Sequence, residues 1–124
     1  MKAGGWGRIV NLAGVSGQTG GVNRVAVVTS NSGLIGLTKS LAMEFAAHGI
    51  TCNTISPGLI DTHRVIPDGQ AETAHAYYAE ETAKIPLGRL GEEDEVAALA
   101  AYLCTDEAAY VTGQTLNING GLYV

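Results

Sequence analysis

The stretch Arg8-Ile9-Val10-Asn11-Leu12-Ala13, bounded by Gly7 and Gly14, and the stretch Ile50-Thr51-Cys52-Asn53-Thr54-Ile55-Ser56, closed by Pro57-Gly58, decide the fold. Each is a short, mostly apolar or β-branched run between turn residues, the pattern of a buried strand. Between them, Asn23 to Ala47 reads as one long helix. Val27, Asn31, Leu34, Thr38, Leu41 and Phe45 recur at alternating spacings of four and three and so share a face. His48-Gly49 ends it, with glycine in the left-handed position and histidine near the negative end of the dipole. Strand, long helix and strand make a βαβ unit, which demands parallel pairing and a right-handed crossover.

Outward from this unit the pattern continues. Gly14 to Gly21 reads as a glycine-rich loop. Residues 61–90 form an excursion punctuated by Pro67, Gly69, Pro86 and Gly88, with a helix expected over Gln70–Lys84. Glu92–Cys104 reads as a helix with acids in its first turn and an apolar stripe of Val96, Leu99, Ala100 and Leu103. A last strand is expected over Gln114–Ile118, before Asn119-Gly120-Gly121. With 124 residues, no repeat and no long linker, the chain reads as a single α/β domain over 1–124.

Composition excludes several functions. The chain is 46% hydrophobic and 15% charged, which speaks against disorder. Its formal charge of −5 disfavours a nucleic-acid partner. The charge is uneven: residues 1–60 carry four bases against Glu44 alone, whereas 61–124 hold eleven acids and three bases. No run of eighteen apolar residues suggests a membrane span, and Met1-Lys2-Ala3-Gly4-Gly5 leads into no secretory core. Cys52 and Cys104 form no metal motif and read as reduced packing residues, so a cytoplasmic protein is expected.

The order of motifs resembles the C-terminal half of a short-chain dehydrogenase/reductase. Gly7-Arg8-Ile9-Val10-Asn11 is similar to that family's fifth strand, and Gly33-Leu34-Ile35-Gly36-Leu37-Thr38-Lys39-Ser40-Leu41-Ala42 with Glu44 to the helix that follows it. Asn53 and Ser56-Pro57-Gly58-Leu59-Ile60-Asp61-Thr62 resemble the sixth strand and the lip that contacts a nicotinamide. Gly88-Arg89-Leu90-Gly91 through Val96-Ala97, and Thr112-Gly113-Gln114 through Asn119-Gly120-Gly121, resemble the closing helix and seventh strand. The resemblance implies a truncated Rossmann-like three-layer fold with a parallel sheet, without the N-terminal dinucleotide-binding half. Gly14-Val15-Ser16-Gly17-Gln18-Thr19-Gly20-Gly21 superficially imitates a phosphate-binding turn, but its glycine spacing is wrong for one.

The family's chemistry uses a Ser after the fifth strand, a Tyr on the next helix, and a Lys one helical turn beyond the Tyr, where its charge favours the phenolate. Counted without a gap from Gly7 to Gly36, those positions hold Gly14, Val27 and Asn31. The expectation is therefore a catalytically degenerate chain, with no cofactor-binding, metal or catalytic residue assigned and no autonomous NAD(P)-dependent reduction. The leading role is an oligomerising scaffold, most simply a dimer joined through Leu34, Leu41 and Phe45 of the long helix. One alternative is a small-ester or lactone hydrolase. It has Ser16 as its best nucleophile among Ser16, Ser30, Ser32, Ser40 and Ser56, and His48, His63 and His75 as candidate bases. His63 would sit in the old substrate cleft beside Thr62, and His75, Tyr77 and Tyr78 on a lid helix. A second alternative is the C-terminal segment of an NAD(P)-dependent oxidoreductase.

Overall fold

The structure, a computed structural model, describes residues 1–62, 66–67 and 69–124. Strand β1 (Gly7–Leu12) is followed by the one-turn helix α1 (Ser16–Thr19) and the long helix α2 (Val25–Phe45). Then come β2 (Ile50–Pro57), the short β3 (Ile60–Asp61), α3 (Ala71–Thr82), the short β4 (Gly91–Glu92), α4 (Glu93–Leu103) and β5 (Thr115–Ile118). β2 is central in a sheet ordered β1-β2-β5, and both pairings are parallel. The first register runs from Gly7 opposite Ile50 to Leu12 opposite Ile55, the second from Thr54 opposite Thr115 to Pro57 opposite Ile118. β3 and β4 form a separate parallel pair at Ile60–Gly91 and Asp61–Glu92.

Helices cover both faces of β2, so every residue from Ile50 to Ser56 is buried. Ile55 turns to the α4 side. There it packs with Leu103 and Ala108 among Val10, Val96, Leu99, Ala100, Val111, Leu116 and Ile118. Thr54 turns to α2, where its hydroxyl lies 2.6 Å from that of Thr38. Asn11 Nδ2 donates to the same Thr38 oxygen at 2.8 Å. This is the three-layer α/β arrangement expected, with the apolar stripe of α4 facing the core as its periodicity indicates.

Three expectations need correction. Gly14–Gly21 is not a plain loop: Ser16–Thr19 closes a helical turn because it docks on α2, where Ser32 Oγ donates to the Gly17 carbonyl at 2.8 Å. Cys52 is buried, and burial pushes its thiol above the usual value against a smaller opposing hydrogen bond from Thr38. Cys104, however, is exposed, because α4 ends at Leu103 and the next residue turns out of the core. Finally, Leu34, Leu41 and Phe45 are partly buried within the single chain, with the Lys2 ammonium 4.5 Å from the Phe45 ring centre. The apolar side chains that α2 leaves outside are instead Val25, Val27, Leu37 and Met43.

The ends of both helices are set by local chemistry. After α2, a short 3-10 turn over Ala46–His48 ends at Gly49 with φ of 67°, and a Cβ there would also strike the Gly5 carbonyl. At the start of α4, Glu92 and Glu95 form a capping box, and Arg89 grips the Glu95 carboxylate with both terminal nitrogens at 2.8 and 2.6 Å. The Arg89 hydrogen bonds, aided by the Glu92 backbone N–H, lower the Glu95 pKa to about 2. A depressed carboxyl stabilises the fold above its unfolded value and loses that contribution as pH falls through the folded one. A carbon-detected titration is expected to show Glu95 ionised until about pH 2, and Arg89→Gln to move its midpoint upward. An unmoved midpoint in that variant would remove Arg89 as the cause.

Candidate functional site

The C-terminal ends of β1 and β2 meet α1 and the first turns of α2, the place where open α/β sheets hold their ligands. Parallel strands deliver Gly14 and Val15 from β1, and Pro57, Gly58 and Leu59 from β2, to one rim. Val15 N donates to the Pro57 carbonyl at 3.0 Å and Ala13 N to that of Ile55 at 2.9 Å, which fixes the two rims against each other. Between this rim and α3 lies a cleft of about 460 Å³, bounded also by Ser16, Thr19, Arg24, Tyr77, Glu81 and Leu122.

Gly14 and Asn31 are adjacent in space as the family spacing implies. A Cβ built on Gly14 would stand 3.3 Å from Asn31 Nδ2. That amide nitrogen donates to Ser16 Oγ at 3.1 Å. Gly17 lets α1 lie directly on α2, since a Cβ there would come within 2.8 Å of Asn31 Cβ and 2.9 Å of its backbone carbon. Val27, one turn before Asn31, has an exposed side chain. The three positions thus hold a glycine, an isopropyl group and an amide engaged in a structural hydrogen bond. None can transfer a proton at neutral pH or supply a positive charge.

The other candidates are scattered. Ser30 Oγ donates back to the Val27 carbonyl at 3.0 Å, and Ser40 is exposed. Ser56 is fully buried, 2.9 Å from Gln18 Nε2, which also reaches Asn117 Oδ1 at 2.6 Å. His48 is exposed in the turn after α2. His63 lies outside the described residues. His75 lines a different, smaller depression of about 260 Å³ with Asp61, Thr62 and Tyr78. Ser16 is therefore paired with an amide rather than with a histidine or carboxylate, and an amide does not accept its proton. Among the described residues, no three metal-ligating side chains gather.

Tyr77 and Tyr78 meet edge to face, with ring centres 5.6 Å apart. Only Tyr77 reaches the main cleft, and it does so through a residue that sequence reasoning passed over. Arg24, at the end of the loop before α2, donates from a terminal nitrogen to the Tyr77 hydroxyl at 3.1 Å. The signal available in the sequence was a single cation in the segment between Gly14 and the long helix.

Comparison with known proteins agrees with this architecture. The family model described as Enoyl-(Acyl carrier protein) reductase matches residues 1–123. The 3-oxoacyl-(acyl-carrier-protein) reductase FabG of Aquifex aeolicus is 42% identical over 118 residues, covering 95% of this chain and 46% of the relative. The corresponding reductase of Pseudomonas aeruginosa is 40% identical over 121 residues, with 96% and 46% covered. That of Escherichia coli is 42% identical over 120 residues, with 95% and 46% covered. The chain spans a little under half the length of these relatives and corresponds to their C-terminal part. With the family model matched over residues 1–123 and relatives 40–42% identical along 95–96% of it, the chain belongs to the short-chain dehydrogenase/reductase family.

Proposed function

We propose that this chain is a catalytically silent member of its family, retained as a self-associating scaffold rather than as a reductase. The observation that carries the reading is the α2 pair Val27 and Asn31 beside Gly14. A nicotinamide cofactor, which the family implies, would find the rim Pro57–Leu59 in place but, at position 31, no cation to hold its ribose. Asn31 is short and neutral, and its amide is committed to Ser16. Nor would a carbonyl substrate meet a proton donor at position 27. Self-association is supported by the outer side of α2. There Leu37 is exposed beside Gly33 and Gly36, and a Cβ at either glycine would meet nothing within 4 Å. Such a smooth strip admits the close approach of a second helix.

Assays with NADH and NADPH over a panel of small ketones and 3-oxoacyl thioesters are expected to give turnover at background. Cofactor-dependent reduction that Asn31→Ala abolishes would overturn the reading. Sedimentation equilibrium is expected to show a dimer at micromolar concentration, and Leu37→Glu a monomer with an unchanged circular-dichroism spectrum. A folded wild-type monomer would remove the scaffold role.

A further inference from the structure

We propose that the cleft between the glycine-rich turn and α3 is a binding site for a small carboxylic acid, held by Arg24 and Tyr77. Its volume of about 460 Å³ falls in the range of small-molecule sites, roughly 300–1,000 Å³. Val15, Leu59 and Leu122 give it an apolar floor, against which an uncharged hydrocarbon body can rest. The charge on its wall is unusual. Arg24 stands in the cleft with a neutral phenol as its hydrogen-bond partner, and among the described residues no carboxylate pairs with it.

Two features make this a place for an anion rather than a cation. A guanidinium offers five N–H donors in a planar fork that matches a carboxylate, and the bond to Tyr77 uses one of them. Because Tyr77 accepts from Arg24, its own hydroxyl proton is left to donate. A charged donor and a neutral one therefore lie side by side, at 3.1 Å, on the cleft wall. The acid that could oppose this, Glu81, is held by the Lys84 ammonium just past the end of α3. The pair also draws on two elements, since Arg24 precedes α2 whereas Tyr77 belongs to α3. A bound carboxylate would bridge the start of α2 and α3, which meet here through the charge-assisted Arg24–Tyr77 hydrogen bond.

This inference is independent of the scaffold reading, because it needs neither a cofactor nor turnover. The test is a nuclear magnetic resonance titration of the chain with benzoate, benzamide and inorganic phosphate, with no nucleotide present. Benzoate is expected to bind saturably and one to one, with benzamide weaker by about tenfold or more for want of the charge-assisted bond. Arg24→Gln is expected to weaken benzoate by about tenfold or more, and Tyr77→Phe by about fivefold, with circular dichroism confirming the fold of both. Three results would overturn the proposal: benzoate failing to saturate, benzamide binding as well as benzoate, or Arg24→Gln leaving benzoate affinity unchanged. Phosphate binding as tightly as benzoate would overturn the assignment to carboxylic acids. Reductase activity in the assays described above would leave this result untouched.

Discussion

Leu103→Ala is expected to lower the unfolding free energy by about 2–5 kcal/mol, the range for removing a leucine from a packed core. Leu103 is 1% exposed and closes α4 onto Ile55 and Ala108, the innermost side chains on that side of the sheet. The cluster around it includes the strand residues Val10, Ile55, Leu116 and Ile118, held in register by two parallel ladders, which limits how far they can move in to fill the vacated space. The upper end of the range applies when such a cavity stays open. Against a total of ~5–15 kcal/mol for a domain, the loss brings the chain near its unfolding threshold. Urea denaturation measures it directly. Leu87→Ala, at a side chain 68% exposed, serves as the contrasting substitution and is expected to change stability by about 0.5 kcal/mol or less. Equal effects of the two would contradict the placement of the core.

Asn53→Ala is expected to cost about 2–4 kcal/mol although it removes a polar side chain from the most buried strand. Asn53 is 1% exposed; its Nδ2 donates to the Val111 carbonyl at 2.7 Å and its Oδ1 accepts from Gln114 N at 3.1 Å. Alanine leaves both of those backbone groups without their partner, and a stranded group costs more than the bond itself was worth. The same turn is held by Cys52 N, which donates to Thr112 Oγ1 at 3.1 Å, and by Gly113 N, which donates to the Cys52 carbonyl at 2.7 Å. Hydrogen exchange is expected to speed up first at Gly113, Gln114 and Thr115. If protection there is unchanged, Asn53 does not anchor the turn.

The βαβ core was legible because its signals are local and agree with one another. β-branched runs bounded by glycine and proline, a long apolar period and a terminal Gly49 all describe the same unit. The helical turn at Ser16–Thr19 was not legible: its Gly, Ser and Thr residues favour a loop, and only contact with Asn31 and Ser32 makes it helical. The expected seam of Leu34, Leu41 and Phe45 followed the right period. Yet Thr38 and Ala42 on that side are the residues fully inside, which turns the sheet-facing surface into an unusually polar and small one. Such a surface leaves Leu37 and Met43 outside. At the site, the substituted positions Gly14, Val27 and Asn31 could be counted from the sequence. The pairing of Arg24 with Tyr77 could not, because the two lie far apart along the chain and meet only once α3 has folded back over the rim.

The position of β5 has a consequence for how the protein comes into being. β2 can find β1 as soon as α2 has formed, but its other edge, and the buried amide of Asn53, must wait for residues 111–118. During synthesis those residues emerge only after β1, α2 and β2. Until they arrive, the middle strand exposes a row of unpaired backbone groups and a half-built apolar layer on the α4 side, a surface of the kind that chaperones grip. Pairing of β5 therefore acts as a checkpoint for the sheet: the middle strand is sealed only once residues 111–118 have been made and have docked.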